Sequence, residues 1–306
     1  MHVAAHYRQK MQRGTLFLVA VFAALSGLLL SFQTAHAAAS RESITLSPTS
    51  ANLTIDAGKS VSGKLTIVDD GTTDYDFLVY ARPYSIQNNN YDDPNFTAIT
   101  NTADSYQWVQ FPQTKFHIKA GQTEYVNYVV SVPANAAPGG HYGVIFAEVQ
   151  PTGTAAGGTI TTKKRVGMVM YTTVNGAVTL AGTSAGSSVP FWQAEAPLHT
   201  TVAAKNTGNT HFTDTVQLTV SDLFGHAKYQ ATKEYVVLPQ TTRTMSVDWQ
   251  TAPWFGLYKV AIQQKFLKQS TTTEGYVLMM PRYIPVVVIV IVLIGGTYAV
   301  LRRRKK

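Results

Sequence analysis

The 306-residue sequence contains no cysteine, so its fold has to be stabilised by the size of its core rather than by disulfide bonds. It also lacks net charge between its two ends. The chain carries a formal charge of +8, yet all 17 acidic residues and an equal number of basic residues lie between Arg41 and Arg282. Because binding to phosphates needs a basic face, this balance argues against nucleic acid as a partner.

The basic excess lies at the two termini, where it indicates membrane topology. At the N-terminus, three basic residues precede an apolar run at residues 16–30 and the small-residue pattern Ala-His-Ala at residues 35–37. This order is typical of a secretory signal peptide, and the sequence predicts one over residues 1–37. An uncleaved anchor is the alternative, but the apolar run is short for a membrane span.

The C-terminus has the features of a membrane anchor. Residues 284–301 contain no charged or amide side chain, and as a helix rising about 1.5 Å per residue they would span roughly 27 Å. Five cations that follow predict a cytoplasmic end: Arg302, Arg303, Arg304, Lys305 and Lys306. The sequence therefore predicts a single-pass cell-membrane protein with its N-terminal domains exported, a transmembrane helix over residues 284–301 and a cytoplasmic tail over residues 302–306.

No capped amphipathic helix is found in the exported region, where the hydrophobic pattern has a period of two. Short runs rich in Val, Thr and Tyr alternate with turns of Gly, Pro, Asn and Asp. This pattern predicts an all-β fold of two tandem immunoglobulin-like β-sandwiches, the first over residues 41–181 and the second over residues 190–268. The small, polar residues 182–189 are predicted to be a flexible linker, and residues 269–283 a stalk.

The pentapeptide Leu-Pro-Gln-Thr-Thr at residues 238–242 resembles the start of a cell-wall sorting signal. Such a signal abuts its hydrophobic span, whereas this pentapeptide lies more than 40 residues before residue 284. It also carries Thr242 where the signal has Gly. Because strand patterns flank it on both sides, we predict that it is a turn between strands rather than a cleavage site.

Two stretches resemble the WxL-interacting family of exported bacterial proteins. They are KAGQTEYVNYVVSVPANAAPGGHYGVIF at residues 119–146 and NTGNTHFTDTVQLTVSDLFG at residues 206–225. The resemblance covers most of residues 44–305. It implies a signal peptide, two immunoglobulin-like domains, a C-terminal span and a basic tail. It also implies peptidoglycan binding by the first domain and the holding of a surface protein by the second, although the second domain is shorter here than is usual in the family.

Residues that could carry enzymatic chemistry are sparse, so we predict a non-enzymatic protein without catalytic residues, metal ions or cofactors. The histidines have no metal-ligand spacing, and the aspartates around Gly71 do not follow an EF-hand loop. No serine has a nucleophile-elbow context, and no pair of carboxylates has the context that a glycosidase requires. A wall-active hydrolase is the less favoured alternative.

One loop has the composition of a binding surface. Its five aromatic residues stand among Asn, Gln and Asp: Tyr84, Tyr91, Phe96, Tyr106 and Trp108. Because aromatic rings among amides suit sugar stacking or a protein interface, we predict binding of cell-wall glycan (peptidoglycan) or of another surface protein. Two alternatives stay open: the rings cap the end of the first sandwich, or the chain is a structural subunit of an envelope complex that positions a partner protein.

Overall fold

The computed structural model of the chain describes residues 43–150 and 164–303, with side chains up to Thr297. The predicted signal peptide over residues 1–37 and the last three residues of the basic tail lie outside the described residues. Apart from a C-terminal helix and a short 3₁₀ helix at Ser105–Trp108, the regular secondary structure of the described part is β and forms two sandwiches, so the all-β prediction is confirmed for the two domains.

The described residues of the first sandwich form nine strands: β1 (Ile44–Ser47), β2 (Ser50–Ile55), β3 (Ser60–Asp69), β4 (Tyr75–Pro83), β5 (Val109–Gln110), β6 (Lys115–Ile118), β7 (Thr123–Ser131), β8 (Gly139–Val149) and β9 (Arg165–Val174). One sheet has the order β1-β3-β7-β5 and the other β2-β9-β8-β4-β6. Strands β2 and β9 pair in parallel, and the remaining pairs are antiparallel. Alternate residues of the facing strands, such as Leu65, Ile67, Val126 and Val130, are buried between the sheets and form the core.

The second sandwich contains eight strands: β10 (Gly182–Ser188), β11 (Trp192–Gln193), β12 (Thr201–Asn206), β13 (Phe212–Ser221), β14 (Ala227–Val237), β15 (Thr242–Ser246), β16 (Gly256–Phe266) and β17 (Gln269–Met279). Its sheets have the orders β10-β12-β15 and β11-β17-β16-β13-β14. Val216, Leu218 and Val220 alternate along β13 into a core separate from that of the first sandwich. The two sandwiches therefore have independent cores.

The linker prediction for residues 182–189 is wrong. Gly182–Ser188 is strand β10, which pairs with β12 at the edge of the second sandwich. A glycine is needed at the start of this strand, because a Cβ atom on Gly182 would lie 2.6 Å from the Phe212 ring. The connection between the sandwiches is instead the segment of residues 175–181, between β9 and β10.

The stalk prediction for residues 269–283 is wrong for most of its length. Gln269–Met279 is strand β17, which pairs with β16 along its full length. Leu267 and Lys268 join the two strands with φ values of 46° and 66°, as expected for a two-residue hairpin turn. The second sandwich therefore extends to Met279.

A single helix, α1 (Tyr283–Arg303), follows the second sandwich after three residues. Pro285 lies in its first turn, where its missing N–H costs little, and the side chains of residues 286–294 are exposed and apolar. Among the residues whose side chains the structure describes, no helix is both long and apolar enough to cross a membrane.

The Leu-Pro-Gln-Thr-Thr segment is a turn, as predicted. Strand β14 ends at Val237 and β15 begins at Thr242, and Gln240 between them has a φ of 59°. The hydroxyl of Thr241 donates to the carbonyl of Leu238 at 2.8 Å, which closes the turn.

We expect Gly182→Ala to destabilise the second sandwich by about 1–3 kcal/mol, because the added methyl group overpacks the contact with Phe212. Thermal unfolding of the purified chain measures this loss. The matched control is Thr183→Ala, an exposed neighbour in the same strand, which should change stability by less than about 0.5 kcal/mol. Equal stability of the two variants would contradict the close packing of β10.

Candidate functional site

The predicted binding loop folds back onto the first sandwich. Ile145, Ala147 and Val149 of β8 face the core, so the alternate residues of this strand point to the outer face of its sheet. The loop covers that face, since Phe96 packs edge-to-face on Phe146 with ring centroids 5.1 Å apart. Strand β8 is buried on both faces as a result.

None of the five predicted site residues is fully exposed. Tyr84 and Trp108 are buried, and Tyr91, Phe96 and Tyr106 are half-buried. Most of the rings therefore pack against the protein itself, as in the alternative in which they cap the end of the first sandwich. Tyr84, Tyr91 and Phe96 pack in one apolar cluster, whereas Trp108 belongs to the core of the first sandwich.

Trp108 belongs to the core of the first sandwich, next to a buried histidine. Its ring centroid lies 4.7 Å from that of His141. The Nδ1 atom of His141 lies 2.7 Å from Asp104 Oδ1, and its Nε2 atom lies 2.8 Å from the carbonyl of Ala137. Burial disfavours the charged ring, but the hydrogen bonds to Asp104 and Ala137 outweigh burial and raise the pKa of His141. Both partners can accept a hydrogen bond, so both ring nitrogens can donate when the imidazole is charged.

Tyr91 joins the loop to the second sandwich. Its hydroxyl accepts a hydrogen bond from the backbone N–H of Leu238 at 2.8 Å and lies 2.5 Å from Thr241 Oγ1. Asn89 accepts from the N–H of Thr242 at 2.8 Å. The guanidinium of Arg243 lies over the Tyr91 ring, 4.4 Å from its centroid. The turn that resembles a sorting signal is therefore the surface on which this loop docks.

The buried part of the junction is rich in tyrosine. Tyr84, Tyr142 and Tyr171 form one apolar cluster with Leu238 of the second sandwich. The predicted site residue Tyr84 therefore helps to hold the two sandwiches together.

His211 lies against the same cluster. Its ring centroid is 5.3 Å from that of Tyr171 and 5.7 Å from that of Tyr142. Burial lowers the pKa of His211 to about 4, so this imidazole is neutral near pH 7. The two buried histidines therefore shift in opposite directions, with the pKa of His211 lowered and that of His141 raised.

Phe96 alone among the predicted residues lines an open groove, of about 790 Å³, on the outer face of the first sandwich. Beside Phe96, the polar and aromatic residues of the lining are Tyr80, Arg82, Asn95, Thr97, Glu148 and Arg165. They come from β4, β8, β9 and the covering loop. The groove is therefore formed where the loop leaves part of the sheet open.

Two cations and one carboxylate give the groove its electrostatic character. The guanidinium of Arg165 lies 4.6 Å from the ring centroid of Phe146, and that of Arg82 lies 5.4 Å from the ring centroid of Tyr80. The Tyr80 hydroxyl donates to Glu148 at 2.5 Å. A guanidinium that lies over a ring keeps its charge, and the N–H groups of the exposed Arg82 can pair with a carboxylate. The groove can therefore bind a ligand that has both an apolar ring face and an anionic group.

Sequence reasoning identified Phe96 but missed the residues on the strands. In β4, Val79 is buried on the core face, and Tyr80 and Arg82 follow it at the alternate positions. This alternation places them on the outer face of the sheet and could have identified them. Glu148 and Arg165 are directly opposite each other in the register of β8 and β9, but the pairing of those strands is not visible in the sequence.

Metal chemistry has no support in the described ranges, 43–150 and 164–303. No three His, Cys, Asp or Glu residues there lie close enough together to hold a metal ion. Asp76, one of the aspartates near Gly71, instead pairs with His117 at 2.7 Å.

Neither a protein-family profile nor a curated protein sequence matches the chain. Among solved structures, the class 5 fimbriae chaperone CfaA is 9% identical over 78% of this chain and 100% of its own, with a TM-score of 0.38. A chain of the CsuC–CsuE chaperone–tip adhesion subunit complex of Acinetobacter baumannii is 13% identical over 76% and 97%, with a TM-score of 0.38. The E. coli chaperone DraB is 11% identical over 76% and 96%, with a TM-score of 0.35. At these values the likeness assigns neither a family nor a function.

We expect the stability of the chain to fall as the pH is lowered from 6.5 to about 4, in proportion to the protonation of His211. In this window the unfolded chain binds a proton that the folded junction excludes, so stability is lost as the pH falls. Urea unfolding of the purified chain across this range measures the effect.

The variant His211→Asn isolates this contribution from that of other titrating groups. Its stability should depend less steeply on pH than that of the parent chain between pH 6.5 and about 4. His226→Asn changes an exposed histidine and serves as the control. Parallel pH profiles of His211→Asn and the parent chain would contradict a lowered pKa of His211 in the folded chain.

We expect Tyr91→Phe to cost about 1–3 kcal/mol, because the variant leaves the N–H of Leu238 without its partner at the junction. Thermal unfolding measures the loss. Tyr106→Phe is the matched control, since it removes a hydroxyl that accepts from the exposed Gln107 side chain. An equal effect of the two substitutions would show that Tyr91 does not couple the sandwiches.

Proposed function

We propose that the chain is a non-enzymatic surface protein, held in the cell membrane by α1, whose first sandwich binds cell-wall glycan in the groove between Arg82 and Arg165. One observation carries the proposal. The groove combines two aromatic rings, two guanidinium groups and two polar loop side chains along one open surface. The ligand class that fits this combination is a glycan bearing carboxylate groups, of which peptidoglycan is one.

The chemistry of the groove matches such a ligand in two ways. Sugar rings present apolar C–H faces that pack on aromatic rings. Tyr80 and Phe96 provide the aromatic rings in this groove. Carboxylates of the glycan or its attached peptides pair with arginine, which can make two parallel hydrogen bonds to one carboxylate. Asn95 is held in place for further contacts, because its Oδ1 accepts from the N–H groups of Thr97 and Ala98 at 2.8 and 2.7 Å.

The architecture supports the resemblance to WxL-interacting proteins and the anchoring role of α1. Two sandwiches are followed by one apolar helix, which is the order that the family resemblance implies. The exposed apolar side chains of residues 286–294 make no contact that would bury them in the described part of the chain, and five cations end the sequence. A membrane would cover the apolar residues and leave the cations in the cytoplasm.

A second candidate function is the positioning of a partner surface protein within an envelope complex. The observation that favours it is the junction, where Tyr91, Asn89 and Arg243 fix the two sandwiches by hydrogen bonds and ring contacts. Such a junction suits a rigid spacer. Hydrolysis of the glycan is less favoured, because Glu148 is the one carboxylate among the residues that line the groove, whereas most glycosidases use two.

Arg82→Ala tests the proposed function. We expect the substitution to weaken binding to purified cell-wall sacculi roughly tenfold, because hydrogen bonds to charged groups contribute about 1.5–3 kcal/mol. Folding should be unaffected, since Arg82 is exposed. Co-sedimentation of the purified chain with sacculi at increasing concentrations gives the affinity.

Lys64→Ala is the matched control, because it removes an exposed cation that lies over Tyr125 on the opposite sheet. It should leave binding unchanged. Equal loss in both variants would show that the attraction is an unspecific effect of charge. Full binding by Arg82→Ala would exclude the groove and favour the role in positioning a partner.

A further inference from the structure

Exposed large apolar side chains are concentrated at one end of the second sandwich. Among the described residues that precede α1, six large apolar side chains are exposed at this end: Phe191, Trp192, Leu223, Phe224, Trp254 and Phe255. Phe224 is 87% exposed, Phe191 73% and Trp254 64%. Isolated exposed apolar residues are ordinary on protein surfaces, but a group of this size marks an interaction surface. We call these six residues the basal face.

The strand register places the six residues together. Trp192 lies opposite Leu278 near the end of β17, and Gly256 at the start of β16 lies opposite Met279. Ser221 at the end of β13 lies opposite Lys259. The segments that carry the basal face therefore lie at the same end of the strands of the five-stranded sheet. Because β13 begins at Phe212, next to His211 of the junction, the basal face lies at the end opposite the first sandwich.

The same end leads into α1. The N–H of Leu278 donates to the carbonyl of Phe191 at 2.7 Å, and Trp192 Nε1 donates to the carbonyl of Met280 at 2.9 Å. The chain then continues through residues 281 and 282 into the helix. The basal face is thus tied by hydrogen bonds to the segment from which the apolar helix emerges.

The most exposed part of the basal face is held in a defined turn. Asp222 accepts hydrogen bonds from the N–H groups of Phe224 and His226, each at 2.9 Å, and pairs with Lys228 at 3.1 Å. Leu223 and Phe224 are therefore presented to the outside on an ordered hairpin. Because this turn has a fixed conformation, Leu223 and Phe224 cannot fold back onto the sandwich. They stay in solvent unless a partner covers them.

We propose that the basal face lies in the interfacial layer of the lipid bilayer, beside the point where α1 enters it. This inference rests on the proposed membrane anchoring by α1. Trp prefers the boundary between headgroups and acyl chains, and Phe and Leu insert just below that boundary when they are presented on one face. Three residues separate Met279 from the first residue of α1. If α1 enters the bilayer, so short a connection holds the basal face next to the lipid. The second sandwich is consequently seated on the membrane rather than tethered above it.

Fluorescence quenching by brominated lipids tests this seating with the full chain. The four Trp residues include buried Trp108 and Trp249, which give a common background once Trp192→Phe and Trp254→Phe are introduced. One reporter, Phe224→Trp, is then added on the basal face. The matched control reporter is Tyr125→Trp, because Tyr125 is 55% exposed on the first sandwich. Both chains are reconstituted in phosphatidylcholine vesicles whose acyl chains carry bromine near the headgroup.

We expect the lipids to quench more than half of the fluorescence added by Phe224→Trp and almost none of that added by Tyr125→Trp. Flotation of the vesicles and resistance to carbonate extraction report anchoring by α1 separately. A chain that floats and whose basal reporter is not quenched overturns the seating but leaves the anchor intact. A chain that does not float overturns both.

A second copy of the chain is the competing occupant of the basal face. It would shield the Phe224→Trp reporter from bromine, and diluting the protein in the vesicles would shift the reporter's emission. That outcome would overturn the lipid assignment in favour of a dimer. Quenching that is independent of protein density supports the seating.

Discussion

The loop between β4 and β5 packs on the outer face of β8 and on the turn at Leu238. The arrangement of the two sandwiches and the shape of the groove depend on these two contacts. Residues between β4 and β5 cover the outer face of β8, which is otherwise an ordinary sandwich strand, and bury it on both sides. The same loop extends to the second sandwich, where the Tyr91 hydroxyl satisfies the N–H of Leu238. Because a buried N–H without a partner is costly, this contact selects one arrangement of the two sandwiches. The groove beside Phe96 exists because the loop covers only part of the sheet.

The proposed binding groove and the junction between the sandwiches share this loop. Phe96 lines the groove and packs on Phe146, while Tyr91 a few residues earlier joins the second sandwich. A ligand that moved the loop on binding would also change the contacts at the Leu238 turn. Conversely, opening of the junction would release one wall of the groove. Coupling of this kind needs no more than a shared rigid segment with contacts at both ends.

The sequence predicted what depends on local pattern and missed what depends on partners distant in the chain. The period of two and the turn at residues 238–242 are local, and both are confirmed. Strand β17 was missed because its hairpin turn is Leu267–Lys268, without the Gly or Asn that usually marks such a turn. Strand β10 was missed because small residues that fit under Phe212 have the same composition as a flexible linker. The five rings of the loop could not be sorted into buried and open ones, because Leu238, which covers Tyr91, is almost 150 residues away.

If α1 is in the membrane, the three-residue connection after β17 fixes the distance between the bilayer and the first sandwich. Strand β16 has 11 residues, and at about 3.3 Å per residue the second sandwich is roughly 35 Å long. With its base on the bilayer, the sandwich would carry the first sandwich at about that distance from the lipid. The groove would then sample the layer of the envelope nearest the membrane, and polymer farther out would be beyond its reach. With a longer connection, the same groove would reach a wide range of distances from the lipid.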